Sequence, residues 1–255
     1  AYGLPFWIKT LGPVIGPGIL LAEKLQLSSD KKADLILAAS EWTKQKAIAF
    51  GIPKDKIVVI QNGIDFKAAR AFAMTKRKPY VVCIARFYPY KHQDHVLLAF
   101  AELVKSRPEL ELHFLYGGSL TSYERKIKEL VSKLNLERKV KFHKTISEKK
   151  KFKLLGQSQL LLFPSYVEGQ GIAILEALAC GTPVVAYNLP AYRGMILNGK
   201  NGFVVKLGDV SGLASAANKV LNRFNSFSKV AVRTAKRFDW VKIAKKYENV
   251  LRQLN

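Results

Sequence analysis

The chain has 255 residues, 49% of them apolar and 24% charged, which excludes simple disorder and leaves room for one large domain or two small ones. It carries 42 Lys and Arg against 19 Asp and Glu, a formal charge of +23. That surplus points to a polyanionic partner: nucleic acid, an anionic membrane face or a phosphorylated substrate.

Residues 1–22 hold a single charge, Lys9, in a stretch long enough to raise the question of a membrane span. Gly3, Pro5, Gly12, Pro13, Gly16, Pro17 and Gly18 break it too often for a continuous spanning helix. It also lacks the basic start and clean apolar centre of a signal peptide. Two readings stand: an irregular segment packed on the rest of the protein, or a lip dipping into a membrane interface. No Met opens the chain, so residue 1 need not be the native start.

From residue 34 onward, predicted strands alternate with predicted helices. Residues 34–40 (DLILAAS) form an apolar run suited to a buried strand, and 41–50 a helix stopped by Gly51 and Pro53. Residues 57–61 are a second strand, closed by Asn62-Gly63, and the basic, unpatterned stretch 67–78 reads as a linker. Strands follow at 80–85, 111–116, 140–143, 159–163 and 183–187. Helices lie between them at 92–106, 121–135, 147–156 and 171–180, with three more near 210–222, 226–237 and 241–254. Cys83 (in VVCIA) and Cys180 (in ALACG) read as buried free thiols; two cysteines do not make a secreted disulfide scaffold, and a reducing, cytoplasmic setting is the expectation. His92 and His95 share a helix face, but with no third His and no Cys beside them no metal site is expected. Continuous apolar strands joined through helices describe a doubly wound parallel sheet covered on both faces. In such a sheet ligands bind beyond the carboxyl ends of the strands.

Three strand ends carry chemistry. After 80–85 come Arg86 and Lys91, two cations flanking Pro89 that suit a phosphate or diphosphate, or are simply solvated. After 111–116 come Gly117 and Gly118, which let a backbone approach a ligand or only turn the chain. After 159–163 comes PSYVEGQGIAILEALACGTPVV. There Glu168 opens a Gly169-Gln170-Gly171 turn, and helix amides begin at Ile172, suited to an anionic or hydroxyl-rich ligand. Glu176 follows eight residues later among apolar neighbours, where a carboxylate is costly unless partnered. Either glutamate alone reads equally well as a cap or a surface acid; two in one loop–helix unit beside a glycine turn favour a site.

This segment resembles the hallmark of the retaining GT-B glycosyltransferases of family four (group 1). In that family Pro-Ser, Glu-Gly-Phe-Gly, a second Glu, then Ala-Cys/Met-Gly-Thr/Lys-Pro-Val-Val succeed one another. Here they stand as Pro164-Ser165, Glu168-Gly169-Gln170-Gly171, Glu176 and residues 179–185. VVIQNGID at 58–65, the Arg86–Lys91 loop, NGKNGFVV at 198–205 and the closing FDWVKIAKKYENVL fit as well, so the resemblance covers about residues 34–255. It implies a GT-B type, Rossmann-like parallel sheet with helices on both faces, in which the first domain is incomplete. Residues 1–66 would be the tail of an acceptor-side domain, 67–78 the linker, 79–238 the nucleotide-sugar domain, and 239–255 a closing helix packing back toward the first.

The implied activity is transfer of a sugar from a nucleotide sugar to a glycan or lipid-linked acceptor with retention of configuration. The alternative is a fragment or degenerate homologue that binds without catalysis. Arg86 and Lys91 would hold the diphosphate, and Glu176 the ribose hydroxyls. Glu168, with the amides of Gly169, Gln170, Gly171 and Ile172, would position the sugar, with Gly117 and Gly118 beside the donor. No metal and no cofactor are expected. Gln170 departs from the usual Phe, and His143-Lys144 from a glycine-containing turn. The family's first-domain histidine has no counterpart, so the chain alone is expected to bind donor and transfer sugar poorly.

Two blocks hold most of the charge: 125–155, at net +9, and 219–246, at net +8. Neither is expected to contain the site. They are solvated helix faces, or a peripheral contact with an anionic membrane. Without a zinc finger, an RNA-recognition signature or interleaved aromatic and basic residues, nucleic acid is not an expected partner.

Overall fold

The computed structural model describes residues 21, 25–26, 29–30 and 32–253. Apart from Leu21, the segment 1–22 and the two readings made of it lie outside these residues.

The first part is small. Strand β1 (Ile36–Ala38) pairs in parallel with β2 (Ile57–Val59), and helix α1 (Glu41–Ala49) connects them. Ala38, Ile52 and Ile57 form its buried cluster. Within 67–78, expected as a linker, the first residues are helical: α2 (Phe66–Arg70) is capped by Asp65, whose carboxylate accepts from the Ala68 amide at 2.8 Å.

The main body is a six-stranded parallel sheet. Its strands are β3 (Tyr80–Ile84), β4 (Glu111–Tyr116), β5 (Val140–Lys144), β6 (Leu160–Phe163), β7 (Val184–Tyr187) and β8 (Gly202–Val205). They lie in the order β5-β4-β3-β6-β7-β8. That is the doubly wound order in which the succession of strands reverses once, between β3 and β6, and a crevice opens at that reversal.

Alternate side chains along each strand go to opposite faces. Val81, Cys83, Phe114, Leu160 and Val185 meet α3 (Gln93–Ser106), α4 (Thr121–Lys133) and α7 (Val210–Asn222). Val82, Leu115, Leu161, Val184 and Ala186 meet α5 (Glu148–Gln157), α6 (Ile172–Ala179) and α8 (Phe224–Ala235). Cys83 and Cys180 are buried free thiols, and burial pushes both up to about 12. Helix α9 (Trp240–Leu251) starts against the first part, the Trp240 amide bonding the Ile64 carbonyl at 3.0 Å.

The sequence reading did not anticipate β8 as a strand. Its first residue, Gly202, passes so close to β7 that a Cβ there would stand 2.0 Å from the Val184 carbonyl oxygen. A strand that must begin on glycine looks like part of the preceding Asn-Gly turn. Among the described residues, no helix is long and apolar enough to cross a membrane.

Candidate functional site

Arg86 follows β3 and Glu168 follows β6, so the two lie at the reversal point of the sheet. A cleft of about 330 Å3 opens there, walled by Arg86, Tyr116, Gly117, Thr145, Ile146 and Lys151 among others. The loops after β3 and β4 are tied together: the Phe87 amide bonds the Gly118 carbonyl at 2.8 Å, and the Leu120 amide bonds the Phe87 carbonyl at 2.9 Å. Gly117 leaves its flank open, since a Cβ there would meet nothing within 4 Å; one at Gly118 would meet the Arg86 side chain at 3.7 Å.

The two cations after β3 part company. Arg86 is exposed and, among the described residues, forms no ion pair. Lys91 is 9% exposed, and its ammonium is paired with the Glu168 carboxylate and also points to the Val167 carbonyl. Two groups expected to meet different parts of a ligand thus hold each other.

Glu176 has the partner its apolar setting requires. Lys151 Nζ donates to its Oε1 at 2.7 Å and to Glu148 Oε1 at 2.6 Å. Burial holds the Glu176 carboxyl above its ordinary range, although the Lys151 hydrogen bond pulls the other way. Burial would lower the Lys151 ammonium, but its bonds to Glu148 and Glu176 outweigh this and raise it. Lys151 belongs to the basic block 125–155, expected to lie apart from the site, yet it is bonded to Glu176, one of the residues expected there. A run of three lysines reads as a solvated face; only the fold shows which of them turns inward. Lys144 of the same block, with Lys128, pairs with buried Glu124 at 3.1 and 2.9 Å. Glu124 also accepts the Tyr116 hydroxyl at 3.0 Å, bracing the cleft wall from behind. Glu176 further lines a second cleft of about 590 Å3, shared with Ile64, Phe72, Ile172 and Trp240.

The turn 168–171 is held from the first part of the chain. Ser40 caps α1 and donates from its hydroxyl to the Gly169 carbonyl at 2.8 Å, joined by Thr43 Oγ1 at 3.3 Å. Gln170 is 3% exposed and grips one peptide unit: its Oε1 accepts from the Asn62 amide at 2.7 Å, and its Nε2 donates to the Asn62 carbonyl at 2.9 Å. Gly171 then enters α6 with φ +83°, where a Cβ would also press on the Tyr192 ring at 3.0 Å. The structure therefore brings Arg86, Gly117 and Lys151 to one trough, and Lys151 links it to Glu176 in the second cleft. It sets the Lys91–Glu168 pair apart and turns the side chain of Gln170 away, toward Asn62. Ser40, Thr43, Asn62, Thr145, Ile146 and Lys151 were missed. Of these, only Lys151 left a trace in the sequence, as a cation able to answer the buried Glu176.

His92 and His95 stack with ring centroids 4.1 Å apart, and Asp94 joins them, the three offering ligand atoms within 4.8 Å of one another. The pairing of two histidines was legible; the carboxylate between them was overlooked. His95 and Asp94 are already bonded to the Tyr187 and Tyr123 hydroxyls at 2.7 and 3.1 Å.

Residues 66–237 match the family described as glycosyl transferases group 1, and residues 15–68 match glycosyltransferase family 4. The D-inositol 3-phosphate glycosyltransferase of Rhodococcus jostii (strain RHA1) is 29% identical over 222 residues, which cover 81% of this chain and 49% of that protein. The GDP-mannose-dependent alpha-(1-6)-phosphatidylinositol monomannoside mannosyltransferase of Mycolicibacterium smegmatis is 31% identical over 208 residues, 74% of this chain and 53% of that one. The chain spans about half the length of these curated relatives. Among solved structures, HepE of Anabaena in complex with UDP and glucose superposes with a TM-score of 0.78 at 23% identity, over 90% of this chain and 67% of that one. TarM of S. aureus superposes with a TM-score of 0.76 at 22% identity, over 89% and 45%. At these identities the likeness establishes the fold, a GT-B type parallel sheet.

Proposed function

The chain belongs to the group 1 glycosyl transferases, and from that premise we propose that it carries the nucleotide-sugar-binding part of an enzyme that moves a sugar onto a glycan or lipid-linked acceptor with retention of anomeric configuration. The observation that carries this reading is the trough at the carboxyl ends of β3 and β4, where exposed Arg86, open Gly117 and Lys151 meet, with Glu176 bonded to Lys151 from the adjoining cleft. Arg86 meets the donor's diphosphate and takes up the charge that develops on it as the sugar leaves. Glu176, with one oxygen held by Lys151, presents the other to the ribose hydroxyls. Lys91 and Glu168 are preassembled as a pair: on donor arrival the ammonium turns to a phosphate oxygen and the carboxylate to a sugar hydroxyl. The amides from Gly169 to Ile172 close around the sugar. In this mechanism the cations and the α6 amides supply the positive charge, and no role falls to a metal or cofactor.

A lipid-linked acceptor would bring the enzyme to the cytoplasmic face of an anionic membrane. Exposed Lys149, Lys150 and Lys153 on α5, and Lys242, Lys245 and Lys246 on α9, support that placement. Calorimetric titration of a panel of nucleotide sugars tests the donor reading. One of them should bind, and Arg86→Ala should weaken it by about ten- to a hundredfold, as for loss of a charged hydrogen bond. Glu176→Ala should abolish discrimination between ribose and deoxyribose donors. If no nucleotide sugar binds, or if both variants bind as the parent does, the reading fails.

A further inference from the structure

A cleft of about 680 Å3 lies at the amino ends of the strands, opposite the donor trough. Its floor is Arg77, just before β3, which donates to the Ser158 carbonyl at 3.1 Å, the Thr182 hydroxyl at 3.2 Å and the Cys180 carbonyl at 2.6 Å. These acceptors precede β6 and β7, and all are neutral, so the guanidinium keeps its whole charge. Arg70, Lys229 and Arg233 rise around it. Among the described residues, none of these three side chains forms an ion pair or hydrogen bond, and no Asp or Glu lines the cleft. Burial, together with repulsion from Arg70, draws Arg77 down to about 10, against an opposing effect of Cys180. Helix α8 also starts here. Its cap, Arg223, makes no side-chain cap bond, and its first turn has no acid, so its positive end is unanswered. The Phe224 ring lies 5.3 Å from the Arg77 guanidinium and gives the cleft an apolar flank.

We propose that this cleft is a second anion site, separate from the donor trough, for a ligand that carries a phosphate or diphosphate on an organic body. Three exposed cations line a cleft around one held by hydrogen bonds, beside a helix N-terminus, and guanidinium forks match phosphate oxygens two at a time. The same chemistry is offered by a soluble phosphate ester and by the headgroup of an anionic lipid.

Inorganic pyrophosphate titrated by calorimetry into Arg86→Ala protein isolates this site from the donor trough. One pyrophosphate should still bind, and adding Lys229→Ala and Arg233→Ala should weaken it by about tenfold or more. Both side chains are exposed, so the fold does not depend on them, and unchanged circular dichroism and Tm would verify that. Vesicles of phosphatidylcholine with and without phosphatidylglycerol separate the two sources. Capture by anionic vesicles that the paired variant loses supports a lipid headgroup. No capture, with pyrophosphate binding that the paired variant loses, supports a soluble ester. The proposal is overturned if Arg86→Ala protein binds no pyrophosphate, or if the added substitutions leave its binding unchanged.

Discussion

Two cation-lined clefts stand at opposite ends of one parallel sheet, and they differ in what answers the charge. At the carboxyl ends of the strands, Lys91 faces Glu168 and Lys151 faces both Glu148 and Glu176, and Arg86 alone of the proposed cations has no ion pair among the described residues. At the amino ends, Arg77 is held by carbonyls and a hydroxyl, and Arg70, Lys229 and Arg233 have no carboxylate beside them. Balanced charges give a site that recognises by directed hydrogen bonds, because an incoming ligand must take over bonds already made. Unbalanced charges give attraction first, falling with salt. A net charge of +23 therefore says little about where a ligand binds; the pairing of each cation does.

The most damaging test of this contrast removes the cation from a balanced pair. Lys151→Met leaves Glu176, whose side chain is 15% exposed, with no counter-charge in an apolar wall. The expected loss is about 2–3 kcal/mol near pH 8, below the ~3–5 of fully buried pairs. Glu176 already stands above its ordinary 4.5 with Lys151 present, so in the variant it rises further. A folded-state pKa raised above the unfolded one gives stability that is whole below about 4.5 and drains away as pH rises through the folded value. The gap between variant and parent should thus be narrow at pH 5 and wide at pH 8. Guanidinium unfolding midpoints at both values measure it; a gap independent of pH would mean that Lys151 acts by packing alone. Arg77 offers the contrast, since its neutral acceptors impose no such dependence.

A smaller effect is expected where the balanced end is held by neutral bonds. Gln170→Leu keeps the volume but leaves the half-buried Asn62 amide and carbonyl without their partner, at a cost of about 1–3 kcal/mol. Gln170→Glu retains the acceptor for the Asn62 amide but sets a second carboxylate oxygen against the Asn62 carbonyl in a buried place, so it should lose at least as much. The Tm of the three proteins orders them, and equal values for parent and Leu variant would show the contact to be dispensable. Because these bonds hold the 168–171 turn, nucleotide-sugar affinity should fall in the same order.

How far the sequence revealed these features depended on how local they are. Strand ends, the Gly169-Gln170-Gly171 turn and the need of Glu176 for a partner are written within single segments, and the apolar runs announced a sheet covered on both faces. Lys151, Asn62 and Ser40 reach the site from positions 25 to 129 residues away along the chain. Nothing in KKK at 149–151 says which lysine turns inward, and nothing in Gln170 says that it reaches back to a peptide in the first part of the chain. The far cleft escaped for the same reason: Arg70 and Arg77 precede the sheet, and Lys229 and Arg233 come after it. β8 was hidden by the glycine that its close approach to β7 demands.

The smallest effect is expected at Gly117, and its smallness is the point. A Cβ there would meet nothing within 4 Å, and the residue shows no positive φ, so Gly117→Ala should move stability by less than about 0.5 kcal/mol. Adding a side chain to open space costs the free protein little, but costs a ligand whose atoms fill that space. If the donor lies against Gly117, the substitution should leave the Tm within error and weaken nucleotide-sugar binding severalfold. It should leave pyrophosphate binding in the far cleft unchanged, since that cleft opens at the other end of the strands. Equal affinities for parent and variant would place the donor elsewhere in the trough, against Lys151 and Thr145 rather than the β4 turn. A change in stability without a change in affinity would mean that the turn, and not a ligand, is what requires glycine.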